Sequence, residues 1–198
     1  ANYYINGNGP RAYAHMRAVG VRHERITFNM NAIEKPGNDL FDWSAYDLLI
    51  SDAAAENIEV LGVLIAPSDF AKRSCAASVF GVPINLDRPW DDPLNYWAQF
   101  VHAAALRYKD SVHAWEVWNE PNFTSFWCGT AQEFAQMTRV SYQAIKAADP
   151  AATVVLGPMY RGVEIGRIAA FFEALRDLPD AAANNYYHDV IGFHLYDG

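Results

Sequence analysis

The sequence predicts an α/β fold and, within that class, an incomplete (β/α)8 TIM barrel of about five to six βα units occupying residues 1–198 as one partial domain. Three observations carry the prediction. Apolar strand patterns alternate with amphipathic helical patterns, so the connections are expected to be right-handed crossovers and the sheet parallel. No strand is followed by a glycine-rich phosphate loop, the main signature of nucleotide-binding open sheets. The 198 residues also fall short of the ~250 of a closed barrel, and the sequence stops directly after a strand. It reads as the middle of a barrel cut at both ends.

The elements follow in order along the chain. Tyr3-Tyr4-Ile5 reads as the relic of one strand. A short helix ends at Gly20, and Val21 to Phe28 forms the first secure strand. Ser44-Ala45-Tyr46-Asp47 opens a helix with a capping-box-like start that runs to about Asn57. Ile58 to Ile65 is almost continuously apolar, the pattern of a strand buried on both faces. Asp92-Pro93 reads as an N-cap with proline in the first turn, and Trp97, Phe100, Val101, Ala104 and Tyr108 then fall on one helical stripe. A strand spans roughly 112–119. Thr130-Ala131-Gln132-Glu133 is a capping box, and Phe134, Met137, Ser141, Ala144 and Ile145 mark the inward face of its helix, which Asp149-Pro150 ends. Thr153 to Gly157 is a further strand, Ile165, Ile168, Phe172 and Leu175 define the last helix, and Asp189 to Tyr196 the last strand.

Composition bounds the function. At 52% hydrophobic the chain can bury a substantial core. Net charge is −8, with 15 Lys and Arg scattered singly, so no basic stripe is present to neutralise nucleic-acid phosphates or acidic membranes. No apolar run approaches the ~20 residues of a membrane span. Cys75 and Cys128 have no metal-ligand spacing and are either a disulfide or two free thiols. Cysteine counting leaves the compartment open, with secreted or periplasmic placement slightly favoured over cytoplasmic; oligomeric state is not legible. Aromatics reach 14%, with 6 Trp and 11 Tyr. Part of that excess suits carbohydrate, whose rings stack on indoles while hydroxyls bond to amides and carboxylates.

The chemistry is expected at Glu120. The run His113-Ala114-Trp115-Glu116-Val117-Trp118-Asn119-Glu120-Pro121-Asn122 is an apolar strand ending in an amide, a carboxylate and a proline. Proline lacks the N–H a ladder needs and stops the strand, and ligands of α/β folds collect at carboxyl ends of strands. Glu116 reads as a hydrogen-bonded residue of the barrel interior. His194 and Tyr196 share a face at another strand end. Asn122-Phe123-Thr124 matches a glycosylation acceptor, but a glycan there would crowd the cleft, so an unmodified asparagine is expected.

These residues resemble the retaining glycoside hydrolases of the (β/α)8 clan whose acid/base Glu follows an Asn at the end of the fourth strand. The likeness rests on Arg107-Tyr108, Val112 and Trp115 to Asn122, with Phe126-Trp127 after them and Phe41-Asp42-Trp43-Ser44, Asp47 and Leu61-Gly62-Val63-Leu64 with Ala66-Pro67 before. Within the clan it is similar to the β-xylosidase and α-L-iduronidase-like group. The resemblance implies Glu120 as general acid/base, Asn119 as partner of the sugar 2-hydroxyl, Arg25 as the arginine near the nucleophile, and His194 and Tyr196 bordering the cleaved subsite. It implies a carbohydrate substrate, β-linked, and neither metal nor organic cofactor. Retention needs a second carboxylate about 5–5.5 Å from the first; the clan takes it from the seventh strand, which would lie beyond Gly198. Glu116 is about 13 Å away at ~3.3 Å per residue along the strand, Glu24 faces the other side, and Glu164 and Glu173 lie on a helix.

Trp127 and Trp90 fall in rim loops and are each candidate sugar platforms. Cys75 and Cys128 occupy two adjacent loops, where a bridge is feasible. Two rivals are a non-catalytic carbohydrate-binding or inactive barrel remnant, and a metal-dependent barrel enzyme for which no His or Asp cluster has ligand spacing.

Overall fold

A computed structural model describes residues 13–34, 40–160, 162 and 164–196; the strand expected at Tyr3-Tyr4-Ile5 lies outside them. The elements are α1 (Tyr13–Ala18), β1 (His23–Asn29), α2 (Met30–Ile33), α3 (Ser44–Ala55), β2 (Glu59–Ile65), β3 (Lys72–Cys75), β4 (Ser78–Pro83), α4 (Tyr96–Tyr108), β5 (Ala114–Val117), α5 (Ala131–Ala148), β6 (Thr153–Tyr160), α6 (Ile165–Arg176) and β7 (Val190–His194), with 3-10 turns at Asp69–Ala71 and Ala182–Tyr187. Five strands form one sheet in the order β1-β2-β5-β6-β7, and each adjacent pair is parallel. Each crossover advances in the same direction. An open doubly wound sheet would reverse at a switch point, so this is the arc of a (β/α)8 barrel. Among the described residues no helix is long and apolar enough to cross a membrane.

The core lies between the arc and its helices. Alternation along β1 sends Ile26 and Phe28 to the helix side, where both are buried. Phe28 stacks on Tyr46 of α3 and meets Tyr108 of α4 and Trp115 of β5 edge-on. A second aromatic chain runs from Trp97 through Trp118 and Trp127 to Phe134 and Phe171. Within it, Trp97 Nε1 donates to Ser141 Oγ at 2.9 Å and ties α4 to α5. Gly62 is required because a Cβ there would collide with the Trp115 indole.

Several local expectations change. Ser44 does not cap α3: Trp43 is the N-cap residue and offers no side-chain bond. Instead Asp42 Oδ1 accepts from the Ser44 N–H and hydroxyl, while Asp47 is drawn away by Arg107 and Tyr108. Helix α4 starts later than Asp92-Pro93. Asp92 closes a turn by accepting from Leu94 N, and Asn95 caps the helix by accepting from Ala98 N. The predicted stripe of α4 is buried throughout, and the capping box of α5 forms both of its bonds. On α6, Leu175 is buried as expected, Ile168 and Phe172 are half-buried and Ile165 stays exposed at the helix start, while Phe171, outside the predicted face, is buried. The antiparallel β3–β4 hairpin was not expected, because its short mixed segments have no clear period.

Candidate active site

Regular pairing of β5 stops at Val117, and the chain then turns through two residues in the left-handed region, Trp118 at φ 74° and Glu120 at φ 46°. Such backbone costs about 1–3 kcal/mol per residue and persists where surroundings over-determine it. Here Trp118 N donates to Leu64 O and Glu120 N to Pro158 O, both at 3.0 Å, so the neighbouring strands hold both kinked residues. A Cβ at position 157 would run into the Val117 carbonyl, which makes Gly157 the residue that lets β6 close on the kink.

The kink lodges Glu120 in the fold with 6% of its surface exposed. Its Oε1 lies 2.6 Å from His194 Nδ1 and accepts from the Tyr196 hydroxyl at 2.9 Å. The Tyr196 hydroxyl is also 3.2 Å from His194 Nδ1. Bonding to Glu120, then burial, pushes the Tyr196 phenol up, so it remains a neutral donor. Tyr160, at the end of β6, meets the Tyr196 ring edge-on.

The second cluster lies beside it. Arg25 Nε donates to both oxygens of Glu116, its Nη2 contacts Glu116 Oε1, and the same Nη2 donates to Asn119 Oδ1 at 2.7 Å. Glu116 is buried at 3% exposure. Burial pushes its carboxyl up, against the pull of the Arg25 hydrogen bonds and charge and of His194. Charge and amide are therefore fixed side by side. Glu120, Asn119, His194 and Tyr196 come together at the carboxyl end of the sheet, and Arg25, third of the seven residues of β1 and level with Ala114 rather than at its strand end, reaches Asn119 with its side chain.

Trp127 does not join them. It is fully buried, edge-on to Trp118 and Phe134, with Nε1 donating to Thr130 O. The capped start of α5 covers its ring, so the expectation of a sugar platform is overturned. Trp90 is half-buried, tilted over His102 of α4. Asn122 is also fully buried, and it grips Tyr160 with both ends of its amide, donating to O and accepting from N. A glycan has no access there.

The loop after β5 is held from two sides. Cys75 of β3 and Cys128 form a disulfide with Cα atoms 6.7 Å apart, and Ser78 Oγ donates to Phe126 O. From the other side Arg167 donates to Thr124 Oγ1 and to the carbonyls of Trp127 and Gly129. Glu164 accepts from Thr124 N and Oγ1. Sequence reasoning missed Tyr160 and Arg167. Following the apolar run past Gly157 to the true strand end would have found Tyr160; nothing local marks Arg167.

The profile of the family described as Glycosyl hydrolases family 39 matches residues 56–196, well over half the chain. The chain belongs to that family. The matched segment contains Glu116, Asn119, Glu120, His194 and Tyr196, while Arg25 precedes it. No curated protein sequence matches the chain. Among solved structures, a family 39 glycoside hydrolase from Bacteroides cellulosilyticus WH2 is similar at TM-score 0.68 and 19% identity, over 95% of this chain and 36% of that one. A monomeric β-xylosidase from Caulobacter crescentus CB15 gives 0.64 and 21%, over 93% of this chain and 38% of that one. The GH39 enzyme from Xanthomonas axonopodis pv. citri gives 0.62 and 22%, over 92% and 36%. At such identities the likeness shows the fold, an incomplete barrel. This family 39 chain spans 36–38% of the length of those three chains.

Proposed function

We propose that this chain carries the acid/base half of the active site of a retaining glycoside hydrolase acting on β-linked sugars, with Glu120 as general acid/base. The observation that carries the reading is the buried Glu120 carboxyl at the end of β5, with His194 and Tyr196 both addressing Oε1. Oε2 is then the oxygen that hands a proton to the leaving group. Once the leaving group departs, the same oxygen takes a proton from the incoming water.

The second carboxylate must attack the anomeric carbon. Glu116 is committed to Arg25, and Glu164 to Thr124 and Arg167. The reading therefore takes the nucleophile from residues outside this sequence and treats residues 1–198 as part of one catalytic domain. Two carboxylates suffice for this chemistry, so the reading assigns no metal or organic cofactor. Asn119, Arg25, His194 and Tyr196 are assigned to the sugar side of the cleft. The substrate is a carbohydrate; sugar identity is not assigned.

Comparing leaving groups tests the assignment. In the active enzyme, Glu120→Ala should slow glycosides with poor leaving groups far more than activated aryl glycosides, because only the former need the proton. Equal losses on both would exclude Glu120 as the acid. The 198 residues alone should not turn over either substrate, since no covalent intermediate forms without the nucleophile.

A further inference from the structure

Glu116 has no part in the chemistry proposed above, yet it is a buried carboxylate at the centre of the arc, facing Val63 of β2 and Val155 of β6 in register. Its partner Arg25 stands on β1 and spends its fork on two acceptors, the Glu116 carboxylate and Asn119 Oδ1. An asparagine amide offers one acceptor and two donor hydrogens. With Oδ1 taken by a guanidinium, the amide is turned so that Nδ2 is the end left for a ligand.

We propose that Glu116 is a positioning residue: by locking the Arg25 fork it fixes the Asn119 amide as a donor, so that the site receives a ligand hydroxyl as an acceptor. The inference deepens the glycosidase reading and rests on it for the identity of the ligand. Its physical basis is the geometry of the guanidinium. Bidentate pairing with a carboxylate fixes the plane of the fork, and with it the direction in which Nη2 meets Asn119. If Glu116 loses its charge, Arg25 keeps its own but loses the anchor that sets this plane. Asn119 could then flip and offer its oxygen to the cleft, where a donor is needed.

The test has two arms. In the first, side-chain amide resonances of Asn119 are identified by their loss in Asn119→Ala and followed in Glu116→Gln. Both should move in Glu116→Gln while the backbone spectrum remains that of a folded protein. In the second, the active enzyme is assayed on a glycoside. Glu116→Gln should lower kcat/KM about tenfold or more, the worth of one hydrogen bond to a charged group, and the double variant with Asn119→Ala should be no worse than Asn119→Ala alone. If Glu116→Gln does not fold, Arg25→Lys keeps the charge and loses the fork, and it is read in the same two ways. Unmoved Asn119 resonances in a folded variant overturn the proposal, and so do additive losses in the cycle. Moved resonances with no glycosidase activity in any form support the positioning role and reject the glycosidase reading instead.

Discussion

Glu120 follows β5, its side-chain partners stand at the end of β7 and two residues past it, and the two strands are held in opposite ways. β5 pairs on both sides, with β2 and β6, and Trp115, Glu116 and Val117 are all buried. β7 pairs with β6 through an irregular register, and Val190, Ile191 and Phe193 are 39–53% exposed. Within residues 1–198 the carboxyl is therefore placed by packing, whereas His194 and Tyr196 come from the last strand of an incomplete arc and the residues just after it. In the 198-residue chain, removing a contact on the β5 side should damage the fold, and removing one on the β7 side should leave the fold and disturb the contacts of Glu120.

The largest contrast is in the core. In the 198-residue chain Trp115→Ala should cost about 3–5 kcal/mol in urea unfolding because it empties a filled interior position, while Phe193→Ala should stay within about 0.5 kcal/mol. Similar costs would break the comparison. Next is the tie on the β5 loop. Replacing Cys75 and Cys128 by serine should cost about 2–4 kcal/mol, since the bridge closes residues 53 apart in sequence. A loss near zero would mean that Ser78 and Arg167 hold the loop unaided.

On the β7 side, Tyr196→Phe should change stability by no more than about 1 kcal/mol, the net worth of one hydrogen bond, yet lower activity in the active enzyme. Loss of fold with activity per folded molecule intact would reverse the roles assigned to the two strands. The smallest effect concerns charge on the rim. Bonding to Thr124 holds the Glu164 carboxyl below its usual value, and the Arg167 charge adds to this. A depressed folded value means that its stabilisation is present above the unfolded value of ~4.3 and is lost as pH falls through the folded one. Glu164→Gln should remove that part of the acid-side decline, by less than about 1 kcal/mol for a group so open to solvent. A steeper acid decline in the variant would contradict the sign.

Long apolar periods made the parallel strands, the α4 stripe and the α5 face legible in the sequence, because burial on a sheet or helix writes directly into the spacing of residues. Glu120 was legible as a strand-end carboxylate. Its bonds to His194 and Tyr196 cross more than seventy residues, and only their shared position at strand ends hinted at them. Trp127 shows where such reading fails. A rim position is visible in sequence, but whether the indole points to solvent or under a helix cap depends on contacts with Trp118 and Phe134. Helix starts failed for a related reason. Asp47 is taken by the distant Arg107 and Tyr108, whereas Asp92 spends its carboxylate on Leu94 N and Arg88 and leaves the cap to Asn95, choices that the spacing of able caps does not reveal.

Arg167 carries a lesson for anyone recombining barrel units. Enzymes of this architecture invite the exchange of one strand, loop and helix as a cassette. In this chain the cassette from β5 to α5 is incomplete, because its loop takes its shape from the first turn of α6 through Arg167 and from the β3–β4 hairpin through the Cys75–Cys128 bridge. A graft that carries residues 114–148 without those two attachments transfers the acid but leaves behind what shapes its loop.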